Sequence, residues 1–546
     1  MLVFDNPVLQ RELLVNLRMK RAFLLLLVYQ AALAVVVLIA WPQKSRLLAN
    51  SDDARELVDL FFFGQYLLAS LMAPSFAALA ITGEKERKTY ELLLATPLRP
   101  SAITLGKLLA ALSHLALLIF ASLPIVMLCL PLGGVSLYEV FAAYLGLIIS
   151  VIVFGMISLA CSSYFERSAA ALVASYLLIL PLAFAGLFIW ISFEGALRLS
   201  LVVFVLPIIA ILIAVPLFIT TAQRLLHPPD VGSEGKDVID LDRENSEAIG
   251  LVINRDDFPD RLFAPPKRVE LMRDGTNAVY DKEIHSEIFS QGTLMLRLVI
   301  QISMGLAVPI MAACLFFLPW KAAWFVSYVV LFNMLVGPVF SAGSITGERE
   351  RQTLDLLLTT TITPWQILWG KLIAGLRVSS VLTMFLLWPM VLACAMVSYF
   401  WGHLPTVLGL LVIVLLTCLT TANVALFCSV LFRRTAMSLM TGYLVLVVVF
   451  CLPIAATFLA QRYLSPIHPE AVDGARWTGV LSPFVAAFSL PLPPEDYSAR
   501  AREQGAALFP VSLMHYGAYV LSTLALNGFL LATMIWLFQR RWRVAQ

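Results

Sequence analysis

The residues of this 546-residue chain that could do chemistry at short range gather in one stretch, ITGEKERKTYELLLATPLRPSAITLGKLLA, from Ile81 to Ala110. Glu84 and Glu86 alternate with Lys85, Arg87 and Lys88, and the hydroxyl of Thr89 and the carboxylate of Glu91 follow. No nucleophile is paired with a base, and no cluster shows metal-ligand spacing, so the chemistry open to this set is ion pairing, helix capping and docking. The stretch returns 264 residues later as ITGERERQTLDLLLTTTITPWQILWGKLIA, with 17 of 30 positions identical. Self-similarity at one long offset marks a duplicated unit.

The elements that must position these side chains are apolar. The chain is 60% hydrophobic and 13% charged, against roughly 45–50% and 25% in a soluble domain. A bilayer span takes about 20 apolar residues, and about twelve runs of that length occur, six in each half. Those of the first half are Ala22 to Trp41, Val58 to Thr82, Ile103 to Leu130, Leu137 to Ser162, Ser168 to Ile191 and Leu197 to Thr221. Those of the second are Leu296 to Trp320, Ala322 to Thr346, Ile367 to Val397, Thr406 to Leu431, Ala436 to Ala460 and Val511 to Phe538. The expected fold is an all-α polytopic membrane protein, and little chain remains for a soluble catalytic domain. The seven cysteines lie in or beside apolar runs with no CxxC, which suits core packing rather than disulfides or metal.

Each half opens with a candidate interfacial helix. Leu9, Leu13 and Leu17 recur every four residues while Arg11 and Glu12 stand elsewhere on the wheel, the pattern of a helix lying along headgroups. NPVLQREL, Asn6 to Leu13, returns as NAVYDKEI, Asn277 to Ile284, so Tyr280, Lys282, Glu283 and Ile284 take the corresponding places. The domains expected are 1–222 for the first half, an acidic Pro/Gly-rich linker at 223–276, and 277–546 for the second half with a long loop at 461–510. The middle of that loop, Val480 to Leu492, is apolar enough to dip into a bilayer and too short to cross it. Lys and Arg crowd one side of the short loops, which places both termini and both copies of the motif in the cytoplasm. An even number of spans per half makes the repeats parallel.

Within the motif, Thr89 is placed to cap a short helix with Glu91 at its positive end. Leu92, Leu93 and Leu94 then form an apolar knob, Pro97 and Pro100 close that helix, and a new one starts near Ser101 with Lys107 at the interface. A short charged-rimmed apolar helix is shaped to plug another protein's groove. The two stretches resemble the cytoplasmic coupling segment of type-two ABC permeases, of pattern acidic-x-E-R-G-T-x-E-x-L-L followed by a turn and Gly-Lys. The six-span halves with a leading surface helix resemble that family too. The resemblance implies that Glu84, Glu86, Arg87, Thr89, Glu91 and Leu93, with Glu348, Glu350, Arg351, Thr353, Asp355 and Leu357, contact a pair of ABC ATPase subunits. Where the family has Gly before the Thr, this chain has Lys88 and Gln352, which argues against a left-handed turn there. The family usually pairs separate chains; here two halves are fused.

No G-x-x-x-x-G-K-[ST] is present, since Gly106-Lys107 and Gly370-Lys371 are each followed by Leu. ATP and Mg are therefore expected in the partner subunit, with no cofactor in this chain and no enzyme activity of its own. Asp and Glu are missing from the span centres, which disfavours an ion-coupled carrier, and Gln30, Gln65, Gln301, Asn333 and Asn423 read as interhelical glue. The expectation is a permease of the cytoplasmic (inner) membrane, coupling the partner's ATP hydrolysis to export of a lipidic, polymeric or amphipathic cargo. The alternatives are a mechanotransmitter acting on an extracytoplasmic protein without transport and, more remotely, a secondary carrier. Partners expected are the ATPase subunits, as a homo- or heterodimer, and membrane lipid, with an extracytoplasmic protein in the mechanotransmitter alternative and no nucleic acid.

Overall fold

The computed structural model describes residues 6–17, 51–86, 88–129, 136–165, 168–193, 195–226, 277–285, 307–317, 322–350, 352–433, 435–460, 477–490 and 513–542, with a few isolated positions besides. The described residues are helical throughout, with ten helices long and apolar enough to cross a membrane. The expected span Ala22 to Trp41 and the linker at 223–276 lie almost wholly outside them, as does Leu296 to Trp320 apart from the apolar helix Ala307–Phe317.

The first half comprises α1 (Pro7–Leu17), α2 (Ser51–Ala77), α3 (Leu79–Glu86), α4 (Tyr90–Leu94), α5 (Pro100–Cys129), α6 (Leu137–Tyr164), α7 (Ser168–Ser192), α8 (Gly195–Ser200) and, after a π turn, α9 (Leu206–Leu226). The second half repeats the order with α10 (Ala278–His285), α11 (Ala322–Ala342), α12 (Thr346–Glu350), α13 (Leu354–Leu358), α14 (Pro364–Met396), α15 (Tyr399–Gly402), α16 (Leu404–Leu431), α17 (Thr435–Leu446), α18 (Leu452–Leu459), α19 (Pro483–Ser489) and α20 (Leu513–Trp542). α14 is 33 residues long where α5 is 30, so beyond the third span the repeat offset rises from 264 to 267. With that shift Leu137–Tyr164 falls on Leu404–Leu431 without a gap.

Both second spans carry a proline about two turns before the motif, Pro74 and Pro338. Proline removes a helical N–H and crowds the preceding turn. In each copy the helix stops a few residues on, at Ala77 or Ala342, and restarts as α3 or α12. The core of the second half is α11 against α16, and the halves meet where α7 packs along α11. The described part of the long loop packs onto the second half: α19 buries Phe484, Val485 and Ala487 among α11, α16 and α20 at the end opposite the motif. The first half has no such helix between its fifth and sixth spans among the described residues.

Candidate functional site

Both copies of the motif fold alike, and the backbone explains how. Thr89 N–H donates to Glu84 O at 3.0 Å and Lys88 N–H to Lys85 O at 3.1 Å; Thr353 and Gln352 repeat these bonds to Glu348 O at 2.9 Å and Arg349 O at 3.1 Å. This pair of bonds is a Schellman helix stop, whose penultimate residue is left-handed. Lys88 and Gln352 adopt that conformation at φ 56° and 60°, which corrects the expectation drawn from the missing glycine. The turn survives without Gly because the surrounding bonds outweigh a left-handed penalty of about 1–2 kcal/mol.

Thr89 does not cap α4. Its hydroxyl donates to the carboxylate of Glu84, and that of Thr353 to Glu348; neither forms a side-chain cap on the helix it precedes. The short helix is thus stapled back onto the one before it. Of the leucine triplet only the first member projects, Leu92 being 71% and Leu356 69% exposed. Leu93 and Leu357, expected in the knob, are half-buried against the apolar core. Glu91 and Asp355 are exposed beside the projecting leucines.

The remaining charges tie this hairpin to every neighbour. Lys107 and Lys371, expected at an interface, are buried, with side chains only 2% and 1% exposed. Lys107 Nζ lies 2.9 Å from Glu12 of α1 and 3.6 Å from Glu84. Lys371 Nζ lies 2.5 Å from Glu283 of α10 and 3.3 Å from Glu348, which also holds Lys282 at 2.6 Å. One ammonium therefore clamps the surface helix to the motif in each half. Charges taken out of water need such partners, since an unpaired buried ion costs several kcal/mol.

The preceding glycine makes the clamp close. A Cβ at Gly106 would stand 2.9 Å from Asn6 Nδ2, and one at Gly370 3.0 Å from Tyr280 N. Asn6 and Asn277 cap their helices, accepting from Val8 N and Val279 N at 3.0 Å, and donate to Ala102 O at 2.6 Å and Gln366 O at 2.8 Å on the third span. The surface helices thus dock end-on against the third spans. Leu9 is buried as the stripe predicts, and Leu13 is half-buried. In the second copy the buried residue is Val279 rather than Tyr280. Arg11 is exposed, and the side chain of Ile284 lies outside the described residues.

Two further contacts serve the fourth and fifth spans. Lys85 Nζ donates to Ser162 O, Ser163 O and Phe165 O at 2.7–3.3 Å, and Arg349 to Phe432 O and, at 2.7 Å, to Val430 O, so each cation covers the carbonyl end of the fourth span. In return Ser162 Oγ accepts from Ile81 N and Thr82 N, and Ser429 Oγ from Ile345 N and Thr346 N, at 2.9–3.0 Å. Glu86 accepts from Ser168 N at 2.7 Å and Glu350 from Thr435 N at 2.9 Å, capping the fifth spans. Arg87 and Arg351 lie outside the described residues. Asn6, Ser162, Lys107 and their copies were not singled out from sequence as parts of the site. Carrying the repeat past the third span at the shifted offset would have aligned Ser162 with Ser429.

Two stretches match family models described as ABC-2 family transporter protein, residues 236–541 in one case and 37–215 in the other. No curated protein matches the chain.

Proposed function

The chain belongs to the ABC-2 transporter family and is a multi-pass membrane protein; from that premise we propose that it is a fused permease whose two motif hairpins receive a pair of ABC ATPase subunits at the cytoplasmic face. The observation that carries this reading is the pair α4 and α13. Each presents one exposed leucine and one exposed carboxylate, on a helix too short to be stable alone. The helix to which each is stapled, α3 or α12, is in turn fixed by bonds to the third, fourth and fifth spans and, through Lys107 or Lys371, to the surface helix. A push on such a helix is shared by the whole half rather than absorbed locally. Nucleotide-driven closure of the ATPases, which supply ATP and Mg, would then move one half against the other.

In this reading Leu92, Glu91, Leu356 and Asp355 meet the ATPases, while Glu84, Glu86, Thr89, Glu348, Glu350 and Thr353 hold the helices in place. The membrane is the cytoplasmic one, both termini are cytoplasmic, and the cargo is lipidic or amphipathic, in keeping with apolar spans. The test is co-purification of the full chain with its ATPase. Leu92→Asp with Leu356→Asp should abolish association while the melting temperature stays within a few degrees of the parent. Undiminished association would overturn the assignment. Reconstituted with the ATPase, the chain should move cargo in an ATP-dependent way; ATP turnover without flux would instead favour the mechanotransmitter.

A further inference from the structure

The two motif hairpins share one backbone and present two different surfaces. Leu93 N–H donates to Thr89 O at 3.2 Å and Ala95 N–H to Glu91 O at 2.9 Å; Leu357 to Thr353 O and Thr359 to Asp355 O repeat these bonds, both at 3.1 Å. Arg99 O accepts from Ile103 N at 3.1 Å to open α5, as Thr363 O does from Ile367 N at 3.1 Å to open α14. Residues 264 positions apart are therefore held alike. Yet Lys88, Glu91 and Arg99 are the exposed residues flanking Leu92 in the first hairpin, and Gln352, Asp355 and Thr363 stand at their places in the second. Two cations and a carboxylate make that rim +1 in the first copy, and a lone carboxylate makes it −1 in the second. Glu86 and Arg87, repeated as Glu350 and Arg351, do not alter the difference.

Helix physics accounts for the second set and not for the first. Thr363 Oγ1 accepts from Gln366 N at 3.3 Å, and Gln366 Oε1 accepts from Thr363 N at 3.1 Å, a capping box that opens α14. Arg99 offers no side-chain acceptor to the first turn of α5 and brings a cation to the positive end of that helix, where one is disfavoured. Its guanidinium makes no ion pair or hydrogen bond among the described residues. A charge kept exposed at a local cost points to a partner outside the chain.

An ATPase homodimer is isologous and offers the same groove twice. A groove rim that complements +1 opposes −1, and like charges brought together at an interface count against binding. We propose that the chain takes two different ATPase subunits, one with an acidic groove rim on the first hairpin and one with a basic rim on the second. Leu92 and Leu356 are the shared anchor, and the rim charges decide which subunit goes where. The inference rests on the coupling reading above.

For the test, the full chain is purified with its bound subunits from the membrane of its own cell, the complex is weighed intact, and its ATP-binding chains are sequenced. The expected composition is one copy of this chain with one copy each of two ATPases. Two copies of a single ATPase would overturn the inference and leave the coupling reading standing; recovery of no ATPase would overturn both. The charges are then exchanged. Lys88→Gln with Arg99→Thr gives the first hairpin residues that the second already carries on the same backbone. Recovery of the acidic-rimmed subunit should fall about fivefold, as for the loss of two rim ion pairs, with the other subunit within about twofold of the parent. Gln352→Lys with Thr363→Arg should bring in a second copy of the acidic-rimmed subunit in place of the basic-rimmed one. An equal fall of both subunits in either variant, or no change in either, would overturn selection by charge.

Discussion

In the second half Asn333 of α11 gathers three spans. Its Nδ2 lies 3.0 Å from Ser379 Oγ and Thr383 Oγ1 of α14 and from Cys418 Sγ of α16, and Thr421 donates to its Oδ1 at 2.8 Å. In the first half the same five positions hold Ala69, Leu115, Ile119, Val151 and Phe154, all buried. A second polar join, Asn423 to Asn527 at 2.7 Å and Asn527 to Thr420 at 3.0 Å, ties α16 to α20. Met156 and Val153 take the places of Asn423 and Thr420 in the first half. At the motif end, by contrast, the halves agree almost bond for bond. The difference separates two parts of the duplication: the scaffold that presents α4 and α13 keeps the same bonds in both halves, whereas packing between spans is polar in one half and apolar in the other. The second half is the more specifically keyed of the two, and α19 adds a further brace at its far end.

The comparison can be broken most severely at the clamps. Lys107→Met and Lys371→Met each leave half-buried carboxylates without their buried cation and should cost about 3 kcal/mol, read as a fall in melting temperature in detergent. Lys107→Met should be the worse, since Glu348 keeps Lys282 at 2.6 Å; an equal or reversed order would show that Lys282 does not substitute. Next, Asn333→Leu should destabilise by about 1–2 kcal/mol, and Ala69→Asn, which buries an amide among apolar neighbours, by about 1–3 kcal/mol. If Ala69→Asn were neutral, the apolar character of the first half would not be a packing constraint. Glu86→Gln and Glu350→Gln weaken helix caps and should cost about 1 kcal/mol each, equally in the two halves if the motif ends are true copies. The smallest effect is expected from Lys88→Gly and Gln352→Gly, which relieve left-handed strain and should raise stability by up to about 1 kcal/mol. A loss of stability there would mean that the side chains contribute more than the strain removes.

Much of the fold was legible because it depends on local pattern. Ten of the expected spans coincide with helices, and Asn333 and Asn423 prove to be interhelical glue, whereas the buried Gln65 side chain, expected in the same role, makes no hydrogen bond. The site was legible as a location but not as a set of roles. Glu84 and Glu86 look from sequence like a docking surface, yet their partners, Lys107 and Ser168, lie 23 and 82 residues away in the chain, and no periodicity reports a contact at such separations. The left-handed turn was misjudged for a related reason: residue type gives its cost, while the Schellman bonds that meet the cost appear only in three dimensions.

The sequence by itself determined that the chain is duplicated, membrane-embedded and hinged on a repeated charged hairpin, because hydropathy and self-similarity are properties of the chain alone. Only the tertiary structure decided which charges face inward, that Leu92 and Leu356 rather than their neighbours project, and that the rings of Tyr176 and Tyr443 meet across the seam. Those facts depend on how one helix is rotated and set against another. Packing fixes that orientation through a few close contacts, such as Asn6 on Gly106, that chain order does not reveal.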